Sequence, residues 1–486
     1  MQTRPLISVA MPTYEGKPRH LRAAIESVRA QTYQRWELRA VDDGSSSSRG
    51  REVVAALAAA DARIRLEALP ANSGISAATN RAVELCGGEY VAFLDHDDTL
   101  APDALEQVAA AIAADPAIDV IYTDQDKLSP RRGKRVAPFR KPDFSPVYAL
   151  GAMYIGHLLV VRRSLLAEVG GLDPAYDTIQ DFELLLRLSE RTDRIHHLSR
   201  ILYHWRAVPG SIAAGTEEKS GVPELQARAV TEHLRRRGIA VAAEPHPEIP
   251  HRTRLVRDGN DTAPEVNVAA APGPGERNPG AALNRAAAEA SGEHILFLAP
   301  DVETPDPDRI DSLLTCAALP SVGIVGALLV NPDGRVRDAG LGVRRWEGGG
   351  RVSSWWHGRG PAEPLMRGLP GEGDGYYGSL SCAREVGAVS AACMLVSAQL
   401  LRELGGFDER YRSLYHDVDL CLRARERGAS VVYSPWPRLV RRDPGPEPPD
   451  DELDRALLID TWFDRLDEGD PHLSRMLTPG MEPITS

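Results

Sequence analysis

GGEYVAFLDHDDTLAPDAL, Gly87 to Leu105, is the stretch whose reading decides the fold. Tyr90 to Leu94 has strand character and runs without a break into Asp95-His96-Asp97-Asp98. A helix pattern follows at once, with Pro102 and Asp103 in its first turn and Leu105, Val108 and Ile112 as its apolar stripe. Carboxylates crowded at the C-terminal end of a buried strand repel one another and lose hydration. A divalent cation supplies the missing charge, and one held by few protein ligands keeps positions open for phosphate oxygens. For Asp95 and Asp97 by themselves an acidic loop capping the next helix is an equal alternative, so the flanking sequence has to decide.

Upstream, Leu6 to Met11 reads as an apolar strand stopped by Pro12-Thr13-Tyr14-Glu15-Gly16. Leu21, Ala24, Ile25 and Val28 recur at helical spacing, and Trp36 to Val41 is a second strand closed by Asp42-Asp43-Gly44-Ser45, which completes a βαβ unit. Ile64 to Leu69 is a third strand, and Asn72-Ser73-Gly74 opens a helix that carries Asn80 and Arg81 and ends near Cys86-Gly87-Gly88. This alternation predicts an α/β fold with a doubly wound parallel sheet, whose ligands sit outside the carboxyl ends of the strands. Pro12 to Tyr14, Asp42-Asp43 and Asp95 to Asp97 then share one edge. Turn chemistry explains Asp42-Asp43-Gly44 and packing explains Tyr14, one at a time; the convergence of three turns is the functional signal.

The chain has 486 residues, enough for two or three domains, and a net charge of −12, which argues against a nucleic-acid partner. Its longest nearly apolar run, Tyr148 to Val161, is interrupted by His157 and is too short to span a bilayer. MQTRPLISVAM lacks a basic region followed by a long apolar core, so no signal peptide is expected and a cytoplasmic location is, with peripheral membrane association left open. Five cysteines without a CxxC pair predict buried free thiols in a reducing compartment.

In their order and spacing, ISVAMPTYEG, QTYQRWELRAVDDGSSS, NSGISAATNRA and GEYVAFLDHDD resemble the nucleotide-binding half of family 2 glycosyltransferases with the GT-A fold. The resemblance implies that Pro12, Thr13, Tyr14 and Asp43 line the nucleoside. It also implies that Asp95 and Asp97 hold the diphosphate and a divalent cation, Mn2+ or Mg2+. Farther on, Gly170-Gly171-Leu172-Asp173 makes a turn and a helix begins near Gln180-Asp181. A carboxylate at a helix N-terminus stays ionised at neutral pH and can accept a proton from an attacking hydroxyl, although an N-cap is the commoner job of such an aspartate. In the resembled family an (E/Q)DxxLxxR-like element supplies the catalytic base; QDFELLLR implies Asp181 in that role and Gln180 as its acceptor-side neighbour. His204, after the strand Ile201-Leu202, has no special setting of its own, but a histidine of this region completes the metal sphere in related transferases, which implies His204 as a third ligand.

The second half repeats the first. Asn80-Arg81-Ala82 recurs at Asn284-Arg285-Ala286 and GEYVAFL from Gly88 recurs as GEHILFL from Gly292, both 204 positions on. GGLD at Gly170 recurs as GGFD at Gly405, and QDFELLLR as HDVDLCLR from His416. Duplication of the whole fold explains this most simply. The expected domains are 1–240, 241–445 and a 446–486 linker, helix and tail: two tandem GT-A (Rossmann-like) domains, the second degenerate on its nucleotide-binding side. There Ala299-Pro300-Asp301 stands for the acidic motif, Asp417 stands for Asp181, and the first strand and helix are expected to be missing. Trp346, Trp355, Trp356, Tyr376 and Tyr377 form an aromatic insertion suited either to sugar stacking or to filling a gap. The expectation is an inverting, metal-dependent hexosyltransferase that moves a sugar from a UDP- or dTDP-sugar to a glycan or small hydroxyl acceptor in surface-polysaccharide synthesis. Inversion is implied by the family. The competing expectations are a sugar-nucleotide-binding scaffold, a transferase with both halves active, and a nucleotidyltransferase, for which MPTYEGKPRH is a poor glycine-rich loop.

Overall fold

Strands covered on both faces read as near-continuous apolar runs, and the centre of the first sheet is built from such runs. In chain order its elements are β1 (Ile7–Thr13), α1 (Pro18–Arg29), β2 (Trp36–Asp42), α2 (Ser48–Ala60), β3 (Ile64–Ala68), α3 (Ile75–Glu84), β4 (Tyr90–Phe93), β5 (Thr99–Leu100), α4 (Ala104–Ala114), β6 (Val120–Leu128) and β7 (Arg135–Phe139). After α5 (Pro146–Gly151) come β8 (Leu159–Arg162), α6 (Arg163–Val169), α7 (Gln180–Ser189), β9 (Ile195–Arg206) and α8 (Val222–Arg236). This computed structural model describes residues 4–129, 133–206, 221–258, 264–272, 277–344, 361–442 and 451–473. Trp346, Trp355, Trp356 and most of the proline-rich linker lie outside them.

The chain divides into two units: Met1–Phe144 with Met153–His233, and Ser145–Ala152 with Leu234–Ser486. In the first, the strand order is β3-β2-β1-β4-β8-β6-β9-β5, with β7 on β6. The helical stripes lie where periodicity put them: Leu21, Ala24, Ile25 and Val28 of α1 and Leu105, Val108 and Ile112 of α4 are buried. The sheet is not wholly parallel, however. β3, β2, β1 and β4 run parallel, but β8 is antiparallel to both β4 and β6. Leu159 to Val161 are buried, so their apolar run carries no mark of direction.

Two local expectations also change. β1 runs on through Pro12 and Thr13; β4 stops pairing with it at Ala10, so Pro12 has a strand partner only in β2, an edge-like position that tolerates proline. And β5 intervenes between the acidic motif and α4, pairing Thr99 with His204 and Leu100 with Tyr203, a long-range match that no local pattern announces.

The second unit adds β10 (Val241–Pro245), β11 (Thr253–Arg257), β12 (Val266–Ala270), α9 (Pro279–Glu289), β13 (His294–Leu298), α10 (Pro307–Ala317), β14 (Val322–Val330), β15 (Val336–Asp338), β16 (Leu341–Val343) and β17 (Ala362–Pro364). It closes with β18 (Arg384–Glu385), β19 (Cys393–Ser397), α11 (Ala398–Glu403), α12 (His416–Glu426), β20 (Ser430–Val440) and α13 (Glu452–Glu468). The expected connection at Ala242 to His251 is in part the hairpin β10–β11. The main sheet has the order β12-β13-β19-β14-β20-β18. Its directions from β12 to β20 match those from β1 to β9 along β1-β4-β8-β6-β9. β12 therefore occupies a place like that of β1, correcting the expected loss of the first strand. Among the described residues it is the outer side of β12, where β1 has β2, that carries no partner.

The recurring motifs are clamps. Asn80 donates to the carbonyl of Leu172 (2.8 Å) and accepts from its N–H (2.8 Å). Asn284 does the same with Phe407 (3.0 and 2.8 Å). Within α7, Arg187 pairs with Glu183 and donates to the Val169 carbonyl; within α12, Arg423 pairs with Asp419 and donates to the Leu404 carbonyl. All five cysteines are free and buried, and among the described residues no helix is long and apolar enough to cross a membrane.

Candidate active site

β4 ends at Phe93, which puts Asp95 to Asp98 at the C-terminal edge of the sheet. The backbone there is tied down by β9. Asp98 accepts from the Tyr203 hydroxyl (2.7 Å) and the Arg206 amide (2.6 Å), and Arg206 Nε donates to the Asp97 carbonyl (2.7 Å). Asp98 is fully buried and structural, whereas Asp95 and Asp97 keep part of their surface open.

The group that organises this edge is His157. Its Nε2 lies 3.3 Å from Asp95 Oδ2 and 3.8 Å from Asp181 Oδ2. The imidazole stacks on Tyr203, with ring centroids 4.9 Å apart and planes 22° from parallel. Its side chain is 15% exposed, while Asp95 and Asp181 retain 35% and 32% of theirs, which leaves the two carboxylates facing an accessible space. Burial would lower the His157 pKa, but Asp95 first, then Asp181 and Asp98, carry it up to about 9. Reciprocally, burial would raise Asp95, and the adjacent His157 outweighs it and holds that carboxyl below its ordinary value. At Asp97 burial prevails: with Asp95 it raises the carboxyl against the pull of His96 and Arg206. Burial also raises Asp181, against the pull of His157.

Asp181 lies in the first turn of α7, but the N-cap position belongs to Ile179, so the capping alternative does not apply. Among the described residues its carboxylate accepts no hydrogen bond. Beside it, Gln180 Oε1 is buried without a partner among them. At the same sheet edge, the buried Asp43 accepts from the amides of Ser73 (2.8 Å) and Gly74 (3.0 Å), tying the turn after β2 to the start of α3. Pro12 and Thr13 end β1, and Tyr14 follows with 48% of its surface exposed.

His204 is placed differently from this group. Its Nδ1 bonds to Asp126 Oδ1 (2.6 Å), and Asp126 in turn pairs with Arg135. Successive residues of a strand face opposite ways, and Tyr203 is the one that faces Asp95, Asp98 and His157. The sequence reading passed over His157, for which the only signal was a histidine interrupting an apolar run.

A cation fits Asp95 and Asp97 by the chemistry of the donors: two hard carboxylate groups, one of them raised in pKa chiefly by burial. Among the described residues no group of three or more His, Cys, Asp or Glu converges as a metal site.

In the second unit Asp301 is bound by Arg441 (2.6 Å) and Asp417 accepts from the amides of Ala391 (3.0 Å) and Val418 (2.9 Å). A cleft of about 160 Å³ beside them is lined by Arg337, Asp338, Arg367, Ser390, Asp417 and Arg441, among others.

An α/β sheet with carboxylates at its strand ends places a ligand site at that edge, and residues 8–170 match the family described as glycosyl transferase family 2. The match covers the first third of the chain, most of it in the first unit. Over 91% of its length it is 34% identical to an uncharacterized protein, y4gI, of Sinorhizobium fredii, and covers 54% of that protein. It is also 34% identical, over 91% of its length, to the O-antigen biosynthesis protein RfbC of Myxococcus xanthus, and covers 38% of it. The chain thus spans about half or less of these relatives. Among solved structures, S. aureus TarS 1-349 in complex with UDP-GlcNAc is similar at 20% identity and a TM-score of 0.39, over 47% of this chain and 66% of that one.

Proposed function

We propose that the first unit is an inverting, cation-dependent glycosyltransferase. It moves a sugar from a nucleoside diphosphate, UDP or dTDP, to a hydroxyl of a glycan acceptor, in the cytoplasm, during assembly of a surface polysaccharide. The observation that carries this is the meeting of a donor-edge carboxylate, Asp95, and a free carboxylate on another element, Asp181, at one imidazole nitrogen. The 34% identity to a relative named for O-antigen biosynthesis supports the glycan setting.

Asp95 and Asp97 would hold Mn2+ or Mg2+, which neutralises charge on the departing diphosphate when bound. Pro12, Thr13 and Asp43 border the space for the nucleoside, and the exposed Tyr14 ring covers its base. Asp181, raised by burial and without a competing hydrogen bond among the described residues, takes the proton of the acceptor hydroxyl. Gln180 Oε1, buried without a partner among them, accepts from a neighbouring hydroxyl of the acceptor. His204 is left out of the cation's ligands because it faces Asp126.

For the second unit we propose an acceptor- or partner-holding role without donor binding. Three features support it: alanine at position 299, the pairing of Asp301 with Arg441, and the use of both Asp417 oxygens on backbone amides.

The test is incubation with a panel of UDP- and dTDP-sugars, glycan acceptors and Mn2+ or Mg2+, with NMR of the product. Expected are release of nucleoside diphosphate, an inverted anomeric linkage, and loss of transfer in EDTA that Mn2+ restores. Release of pyrophosphate, retention of configuration, or undiminished transfer in EDTA would each refute the proposal.

A further inference from the structure

We infer that His157 is a positioning residue that ties the donor-side carboxylate Asp95 to the acceptor-side base Asp181, so that the two ends of the transfer are held in one register. The inference deepens the transferase proposal and rests on it for its kinetic consequences.

Three observations carry it. First, one nitrogen serves both carboxylates: Nε2 is 3.3 Å from Asp95 and 3.8 Å from Asp181, while Nδ1 is buried and has no partner among the described residues. Only the Nε2 side of the ring is in use.

Second, the ring is stacked on a buried neighbour and the backbone that carries it is hydrogen-bonded. It stacks on the fully buried Tyr203, whose hydroxyl is anchored on Asp98. Its own amide donates to Gln125 Oε1 (3.3 Å), its carbonyl accepts from Lys141 Nζ (2.8 Å), and the next amide, of Leu158, donates to Thr123 Oγ1 (3.2 Å). These contacts set where the ring is presented.

Third, the second sheet shows the pair lost as a pair. In the first sheet Ala92 pairs with Val160; in the second, Leu296 pairs with Leu395 in the same antiparallel sense. Three residues on from Ala92 is Asp95 and three back from Val160 is His157; the same steps from Leu296 and Leu395 arrive at Ala299 and Ala392. The alanines are adjacent, joined by a 2.9 Å bond from the Ala299 amide to the Ala392 carbonyl. The carboxylate that remains there, Asp417, has turned to backbone amides instead. A histidine kept only for packing would not have to vanish together with one particular aspartate.

Without the imidazole between them, two partly buried carboxylates repel and turn apart. A displacement of about 1 Å between reacting groups costs roughly 10²-fold in rate.

The test compares His157→Gln, His157→Asn and His157→Ala in the full chain. A glutamine amide nitrogen reaches the place of Nε2, whereas that of asparagine reaches only the place of Nδ1. His157→Gln is expected to keep kcat within about tenfold of wild type; His157→Asn and His157→Ala are expected to lose about 100-fold in kcat with donor KM nearly unchanged. Equal rates in all three variants, or His157→Ala within twofold of wild type, would overturn the inference. A second measurement needs no turnover: in the 15N-histidine NMR spectrum of chelator-treated protein, the Nε2–H signal that disappears in His157→Gln is expected to shift in both Asp95→Asn and Asp181→Asn. Failure to shift in Asp181→Asn would overturn it. If wild type transfers no sugar, the transferase proposal has failed, and the NMR result still decides the positioning.

Discussion

Asp181→Asn and Asp417→Asn make the same chemical change at matching places in the two units, and opposite outcomes are expected. Asp181 accepts no hydrogen bond among the described residues, so an isosteric amide removes the proton acceptor and the charge that faces His157 Nε2 at 3.8 Å, but strands no backbone amide. Loss of a general base costs about 10²- to 10⁴-fold in kcat, with a thermal midpoint close to that of wild type. Asp417 instead receives two amides, from Ala391 at 3.0 Å and Val418 at 2.9 Å. Asparagine has one acceptor oxygen, so one of these amides is left facing an NH2 group. A hydrogen bond to a charged group contributes about 1.5–3 kcal/mol. For a unit of this size, at about 2–4 °C per kcal/mol, the midpoint of the second unit falls by roughly 3–12 °C while transfer to a short acceptor persists. Calorimetry and nucleoside-diphosphate release on the same preparations read both quantities. Loss of transfer in Asp417→Asn at an unchanged midpoint would refute this reasoning, and so would full transfer by Asp181→Asn.

Two further outcomes follow from the same geometry. Asp181 must be ionised to act and burial raises it, so kcat falls as pH drops through a midpoint above the ordinary 3.8; an acidic limb centred at or below 3.8 would contradict this. Asn80→Ala leaves both backbone groups of Leu172 unbonded and Asn284→Ala does so for Phe407, so urea unfolding is expected to show a loss of about 1–3 kcal/mol in each. A neutral Asn80→Ala would mean that the turn holds without its clamp.

How far the site was legible depended on the kind of signal. Asp95, Asp97 and Asp181 sit where an element begins or ends, and an element's end shows in local pattern. Much of the repeat is structural: Asn80 and Asn284, and the acid–arginine pairs of α7 and α12, hold backbone turns. Such clamps must persist wherever the fold persists, which is why the repeat reads so clearly even where Asp301 is bound by arginine. His204 was implied by the family resemblance alone; its Nδ1 bonds to Asp126, while the neighbouring Tyr203 meets Asp95 and Asp98. His157 lay in a run whose hydrophobicity masked it.

By itself the sequence determined most of the helices and buried strands, the edge of the sheet on which the acidic turns fall and the burial of the thiols, because each of these is written in periodicity or in contiguous motifs. The tertiary structure alone decided that β8 runs antiparallel, that β5 pairs with β9, and that α5 is grouped with the second unit. It also decided that one imidazole lies between Asp95 and Asp181. The physical reason is the same throughout: an apolar run buried on both faces specifies that a segment is inside, not which neighbour it takes or in which direction, and residues 62 and 86 positions from Asp95 meet it only once those pairings are made.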